Sequence, residues 1–255
     1  MPYFEREGAK LYFEDNGTAG DTRTAILMTH GYGASSAMWQ GQVAAFGDMF
    51  RMIRWDVRGH GRSEVRDDMA CFSAEHVIAD MAALLDHLGI EKAILAGHSL
   101  GGFMSLRFHS FHPERVIGLI LQGSGPGFRN AEAREKWNTV ACEKADRLEA
   151  GGLDALGGGS EARMCTHLSA KGLANAARGI LTHTDSRVME HLPDIAVPTL
   201  IIVGAEDSNF LGAASYMEKK IAGAQHVVIP DARHGCNVDQ PDAVNRALAD
   251  FLAAF

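Results

Sequence analysis

Cysteine is scarce in this 255-residue chain, and it carries no basic run. The four cysteines, Cys71, Cys142, Cys165 and Cys236, stand far apart and form no CxxC pair. Such scattered thiols argue against a disulfide framework and fit a reducing cytoplasm. Lys and Arg number 24 against 32 Asp and Glu, a formal charge of −8. An acidic chain without a cationic stretch is a poor nucleic-acid ligand. Nothing approaches the ~18 continuous apolar residues of a membrane span, so no membrane partner is expected. The opening MPYFEREGAKLYFEDNG is charged and lacks the apolar core of a signal peptide. A cytoplasmic location is the resulting expectation. There are no internal repeats, and Gly157–Gly159 is the one low-complexity tract. No cluster of His, Cys and carboxylates stands at metal-ligand spacing, so neither a metal nor an organic cofactor is expected.

What is present is a rhythm. Hydrophobic residues make up 46% of the chain, enough for a substantial core. KLYFED reads as an early strand paired with the first residues. Buried strands are predicted in Thr24–Gly31, Phe50–Asp56, Lys92–His98, Val116–Ser124, Pro198–Gly204 and Gln225–Pro230. Each is a short apolar run that closes on a turn residue, the pattern of strands covered on both faces. Helical spacing fills the gaps between them. Ser73 caps a helix whose Val77, Met81, Leu84, Leu85 and Leu88 recur on one side, with Gly89 as its stop. A second helix starts near Ser99 and ends by Pro113, and a third carries Val244, Leu248, Phe251 and Leu252. Strands alternating with helices predict an α/β fold, with ligands at the C-terminal edge of a mostly parallel sheet. Residues 126–196 break the rhythm with charged, Ala-rich helical patterns. They predict a helical insertion of three or four helices at the ligand edge, either a lid or a plain extra layer. The α/β core is then 1–125 together with 197–255.

At the junction of one strand and helix lies Gly97-His98-Ser99-Leu100-Gly101, a G-x-S-x-G sequence. A sharp turn there would expose Ser99, and the small residues two before and two after it would let neighbouring backbone approach. A serine hydroxyl needs a base, and the base needs an orienting acid. LIIVGAEDSNF delivers Asp207 after one strand, and VVIPDARHGCNVDQP delivers His234 after the last. Glu206 is an alternative acid, and Asp231 reads as a turn former. His30 and His98 read as turn-stabilising or pocket-lining groups. His76, His87, His109 and His112 read as solvent-facing residues on helices, and Cys236 as a thiol made partly reactive by its nearness to His234. THGYGASSAMW places the backbone N–H of Tyr32 opposite that of Leu100, two donors for a developing oxyanion. Phe103, Phe128, Trp137, Met164, Phe210 and Leu211, with the Tyr32 ring, are candidates for an apolar substrate pocket. Core packing explains each of them equally well.

These motifs, with DVRGHGRS at Asp56–Ser63, resemble the α/β-hydrolase superfamily over nearly the whole length. The resemblance implies an eight-stranded, mostly parallel sheet with helices on both faces and a cap between the sixth and seventh strands. DVRGHGRS has a structural role in that family. Branches with an Asp nucleophile are disfavoured by serine at 99. The implied activity is hydrolysis of carboxylic esters or lactones, through an acyl-enzyme on Ser99 in a Ser-Asp-His triad, as in carboxylesterases and enol-lactonases. The alternatives are C–C bond hydrolysis or cofactor-free perhydrolysis on the same residues, or a non-catalytic ligand receptor. The expected partner is a small or medium uncharged ester or lactone, and a homodimer is possible.

Overall fold

A computed structural model describes residues 3–255. Its strands are β1 (Tyr3–Arg6), β2 (Ala9–Asp15), β3 (Ala25–Thr29), β4 (Arg51–Trp55), β5 (Glu64–Val65), β6 (Ala93–His98), β7 (Val116–Gln122), β8 (Thr199–Gly204) and β9 (Gln225–Ile229). They form one sheet in the order β1-β2-β4-β3-β6-β7-β8-β9, with β5 pairing beside β2. From β4 to β9 every pairing is parallel, while β1 and β2 form an antiparallel edge. The sheet therefore has nine strands rather than the expected eight. The extra one is β5, two residues whose Glu64 stands opposite Lys10. So short a pairing leaves no hydrophobic period to read.

The α-helices are α1 (Gln40–Phe46), α2 (Ala74–His87), α3 (Leu100–Phe111), α4 (Ala131–Gly151), α5 (Ser160–Arg163), α6 (Ala170–Gly179), α7 (Arg187–His191), α8 (Leu211–Lys220), α9 (Cys236–Asp239) and α10 (Pro241–Leu252). Alternation along the strands builds a core on each face. Leu27, Ile53, Leu95, Leu119 and Ile201 pack with Met81 and Leu84 of α2, Leu106 of α3 and Met217 of α8. Ile26, Met28, Met52, Ile94 and Ile202 pack on the other side with Phe46 of α1 and Val244, Leu248 and Phe251 of α10. Two-sided burial is why these strands read as continuous apolar runs. The expected caps are in place: the Ser73 side chain accepts the His76 N–H, and Gly89 turns the chain out of α2 at φ +67°.

The DVRGHGRS stretch holds the turn after β4. Asp56 accepts the backbone N–H groups of Ser36 and Arg62 at 2.7 and 2.8 Å. Arg58 is fully buried on Asp80, with Nη2–Oδ1 at 2.8 Å.

Between β7 and β8 the described chain contains only helical elements, α4 to α7 with two short 3-10 turns, the second just before β8. Asn130 caps α4 by accepting the N–H groups of Glu132 and Ala133. Ala145, Leu148, Leu173, Ala174 and Ala177 give this segment a small core of its own between α4 and α6. Among the described residues, no helix is long and apolar enough to cross a membrane.

Candidate active site

Strand β6 ends at His98, and helix α3 begins at Leu100, so a single residue makes the turn. Ser99 makes it at φ 52°, ψ −113°, a region that L-residues rarely occupy. Strain of this kind costs on the order of 1–3 kcal/mol and persists only where the surroundings enforce it. They do so here. The Ser99 N–H donates to Gln122 O at 2.9 Å, and the Ser99 carbonyl accepts the Ser124 hydroxyl at 2.8 Å. A Cβ at Gly97 would lie 2.3 Å from the Gly101 backbone, and one at Gly101 would lie 2.1 Å from Thr29 O. The glycines on either side of Ser99 are thus demanded by close packing.

Asp207 and His234 meet at the same edge. Asp207 follows β8, is buried, and accepts the His234 Nδ1–H on Oδ2 at 2.7 Å. Its neighbour Glu206 is exposed, which leaves Asp207 as the acid that orients the imidazole. Phe210 stacks on His234 at 4.8 Å and 24°. Gly123, at φ +51°, leaves room beside the ring, since a Cβ there would lie 3.2 Å from His234 Nδ1. Asp231 adopts φ 53°, in keeping with its reading as a turn former. No hydrogen bond joins Ser99 Oγ to His234 among the described residues. Contacts of this kind commonly tighten only when substrate binds.

His98 donates its Nε2–H to the carbonyl oxygen of His234 at 3.0 Å. Burial, and then the neighbouring His234, push the His98 pKa well below the usual imidazole range. It stays neutral beside the other ring. His30 donates Nδ1–H to Gly31 O at 2.7 Å and accepts the Val57 N–H on Nε2 at 2.9 Å. Both histidines support turns, as their positions imply.

The loop after β3 runs beside the serine: a Cβ at Gly31 would lie 3.1 Å from Ser99 Cβ. The N–H groups of Tyr32 and Leu100 have no hydrogen-bond acceptor among the described residues. The loop is tied to the helical insertion twice. The Tyr32 hydroxyl donates to Leu173 O at 3.0 Å. His167 accepts the Gly61 N–H on Nδ1 at 2.9 Å and donates Nε2–H to Gly33 O at 3.1 Å. His167 carried no signal in the sequence, because its partners are backbone groups remote along the chain.

The apolar candidates separate. Phe103, Phe128 and Trp137 come together around His183, with centroid distances of 4.2, 5.7 and 5.6 Å. Phe210 covers His234 instead, and Leu211 is half-buried against the core at the start of α8. Met164 is 45% exposed at the end of α5 and does not join the cluster. Three further readings need correction. His109 is buried, not solvent-facing, with its Nδ1 2.8 Å from His191 Nε2. His112 lies just beyond α3 and is half-buried. Cys236 is fully buried, and burial pushes its thiol up to about 12, so proximity to His234 does not make it reactive.

A family model described as "alpha/beta hydrolase fold" matches residues 24–141. The 3-oxoadipate enol-lactonase 1 of Acinetobacter baylyi is 28% identical over 267 residues, covering 97% of this chain and 94% of the relative. The crystal structure of the enol-lactonase from Burkholderia xenovorans LB400 superposes with a TM-score of 0.79 at 25% identity, covering 99% of this chain and 100% of that one. A thermophilic esterase from Thermogutta terrifontis, solved with malate bound, is 30% identical with a TM-score of 0.77, covering 96% and 94%.

Proposed function

The chain belongs to the alpha/beta hydrolase family, and from that premise we propose that it is a serine hydrolase of carboxylic esters or lactones. The observation that carries this reading is the Asp207–His234 hydrogen bond at the sheet edge where Ser99 makes its strained turn. The relatives, enol-lactonases and an esterase, act on bonds of that class by their names.

In this mechanism His234, its Nδ1–H held by Asp207, presents Nε2 as the base. It takes the Ser99 proton as Oγ adds to the ester carbonyl. The N–H groups of Tyr32 and Leu100 receive the oxyanion, and loss of one such donor typically costs about 3–4 kcal/mol of barrier. His234 then protonates the leaving alcohol. Water, activated by the same imidazole, releases the acid. Asp207 fixes the tautomer and stabilises the imidazolium. Segment 126–196 acts as the cap over the core formed by 1–125 and 197–255. Phe103, Phe128 and Trp137 line the substrate pocket beneath it, and Phe210 lies over the base. The substrate is a small or medium uncharged molecule, and the four free cysteines suit a cytoplasmic setting.

The test is hydrolysis of p-nitrophenyl esters from acetate to long acyl chains, by wild type and Ser99→Ala. Turnover by the wild type alone is the expected result. Equal turnover by both proteins would remove Ser99 from the chemistry.

A further inference from the structure

His183 lies within the aromatic cluster, and neither of its nitrogens has a hydrogen-bond partner among the described residues. The residue is 8% exposed. Nδ1 is sealed against Gly127, where a Cβ would come within 2.8 Å of it. Nε2 is the nitrogen that keeps accessible surface. Phe103 stacks flat on one face of the ring, at 4.2 Å and 7°. Phe128 and Trp137 flank it obliquely, at 41° and 37°.

This position is held firmly. The Asn138 amide grips the His183 backbone at both ends, accepting its N–H at 2.7 Å and donating to its carbonyl at 3.0 Å. Trp137 Nε1–H donates to Leu181 O at 2.8 Å and fixes the same strand of chain. A buried polar group without a partner is unfavourable, and phenylalanine or leucine would fill the space without that penalty. A histidine clamped there with Nε2 accessible and unpaired can take a group that the protein does not supply.

The ring is neutral. Burial first, then the Arg107 charge, bring its pKa down to about 4. The nearby charges are already engaged: Arg107 binds Glu75 and Asp185, and Arg134 donates to the carbonyls of Phe128 and Arg129. Neither guanidinium hydrogen-bonds the His183 ring among the described residues, and a neutral imidazole pairs with a neutral group, which is what we take the missing partner to be. A hydroxyl satisfies either tautomer of imidazole, since it both donates and accepts. Flat aromatic walls favour a flat ring carrying it.

We infer that the cluster of Phe103, Phe128, Trp137 and His183 is a subsite for a neutral hydroxyaryl group of the substrate, with His183 the residue that selects its hydroxyl. This deepens the hydrolase reading and rests on it for the term substrate. Phe103 stands one helical turn beyond Ser99, about 6 Å along the axis of α3. A bound aryl group would therefore sit about one helical turn from the nucleophile.

The experiment is calorimetric binding of p-cresol and p-xylene, which differ by hydroxyl against methyl, to wild type, His183→Phe and His183→Gln. The wild type is expected to bind p-cresol about tenfold more tightly than p-xylene, the effect of one hydrogen bond. His183→Phe should bring the two ligands within about twofold, and His183→Gln should keep part of the preference. Equal binding by wild type, no binding of either ligand, or an unchanged preference in His183→Phe would each overturn the inference. Turnover of methyl acetate, which carries no aryl group, is measured on the same proteins and on Ser99→Ala. Selective p-cresol binding without Ser99-dependent turnover would leave the subsite standing and remove the hydrolase reading.

Discussion

The imidazole of His98 donates to the backbone carbonyl of His234 at 3.0 Å, and the two rings lie 4.6 Å apart. The residue before the proposed nucleophile therefore fixes the loop that carries the proposed base. His98→Phe keeps the ring and removes the donor. It should lower kcat about ten- to hundredfold, with KM changed less than about twofold, because the base is displaced while the pocket is intact. His98→Gln, which restores an N–H, should recover part of the loss. Steady-state kinetics on a p-nitrophenyl ester decides the matter. An unchanged kcat in His98→Phe would leave this hydrogen bond with no positioning role.

Much of this arrangement was legible in the sequence, for local reasons. Ser99, Asp207 and His234 each follow a strand whose apolar run closes on a turn residue, so their common edge follows from the α/β pattern. Gly97 and Gly101 announce the close packing around the turn. His183 and His167 were not legible. Their neighbours come from distant parts of the chain: Phe103, Gly127 and Trp137 for one, Gly33 and Gly61 for the other. That Met164 stands outside the His183 cluster was not legible for a related reason. Apolar character alone does not say whether a residue on a short helix faces inward, and α5 spans only four residues. His109 was misread because helical spacing places it on α3 without showing that His191 of α7 covers that face.

Glycine at 101 is required by backbone, which cannot step aside. Gly101→Ala would bring its Cβ to 2.1 Å from Thr29 O and 2.8 Å from His30 O. Overpacking against main chain should destabilise the protein by on the order of 3 kcal/mol. Gly41 in α1 is the internal control, since nothing lies within 4 Å of a Cβ there. Gly41→Ala should be neutral or stabilising by up to about 1 kcal/mol. Urea unfolding of both variants makes the comparison. Similar midpoints would mean that the turn at Ser99 tolerates a side chain its geometry excludes.

The loop that offers the Tyr32 N–H is held from the helical insertion by Tyr32 Oη to Leu173 O and by His167 Nε2 to Gly33 O. Removing these ties should loosen the proposed oxyanion donor more than the fold. His167→Phe should reduce kcat about tenfold, and Tyr32→Phe about threefold, with melting temperatures lowered only modestly. His167 Nδ1 must be unprotonated to accept the Gly61 N–H. Burial lowers its pKa below the usual imidazole range, so the tie survives mild acidity. A kcat that is the same in wild type and His167→Phe, at matched saturation, would detach the insertion from catalysis.

Acid should weaken the fold well before the carboxylates titrate. His30 is fully buried, and burial brings its pKa down to about 4. Both of its nitrogens are committed in the neutral form: Nδ1–H to Gly31 O, and the Nε2 lone pair to the Val57 N–H. Protonation would set a second N–H against that of Val57. In the unfolded chain the same ring titrates near its ordinary value of about 6.5. Between those values the unfolded state binds more protons, so stability falls as pH falls. The contribution of His30 is complete above about pH 6.5 and lost by about pH 4, up to about 3 kcal/mol. His183, also held at about 4 chiefly by burial, adds loss of the same sign. Urea midpoints at pH 7.5, 5.5 and 4.5 should therefore decline in steps, and His30→Gln should start lower and decline less. If the wild-type midpoint is flat from pH 7.5 to 4.5, the His30 site admits a charged ring, and its two backbone hydrogen bonds are not what hold the turn after β3.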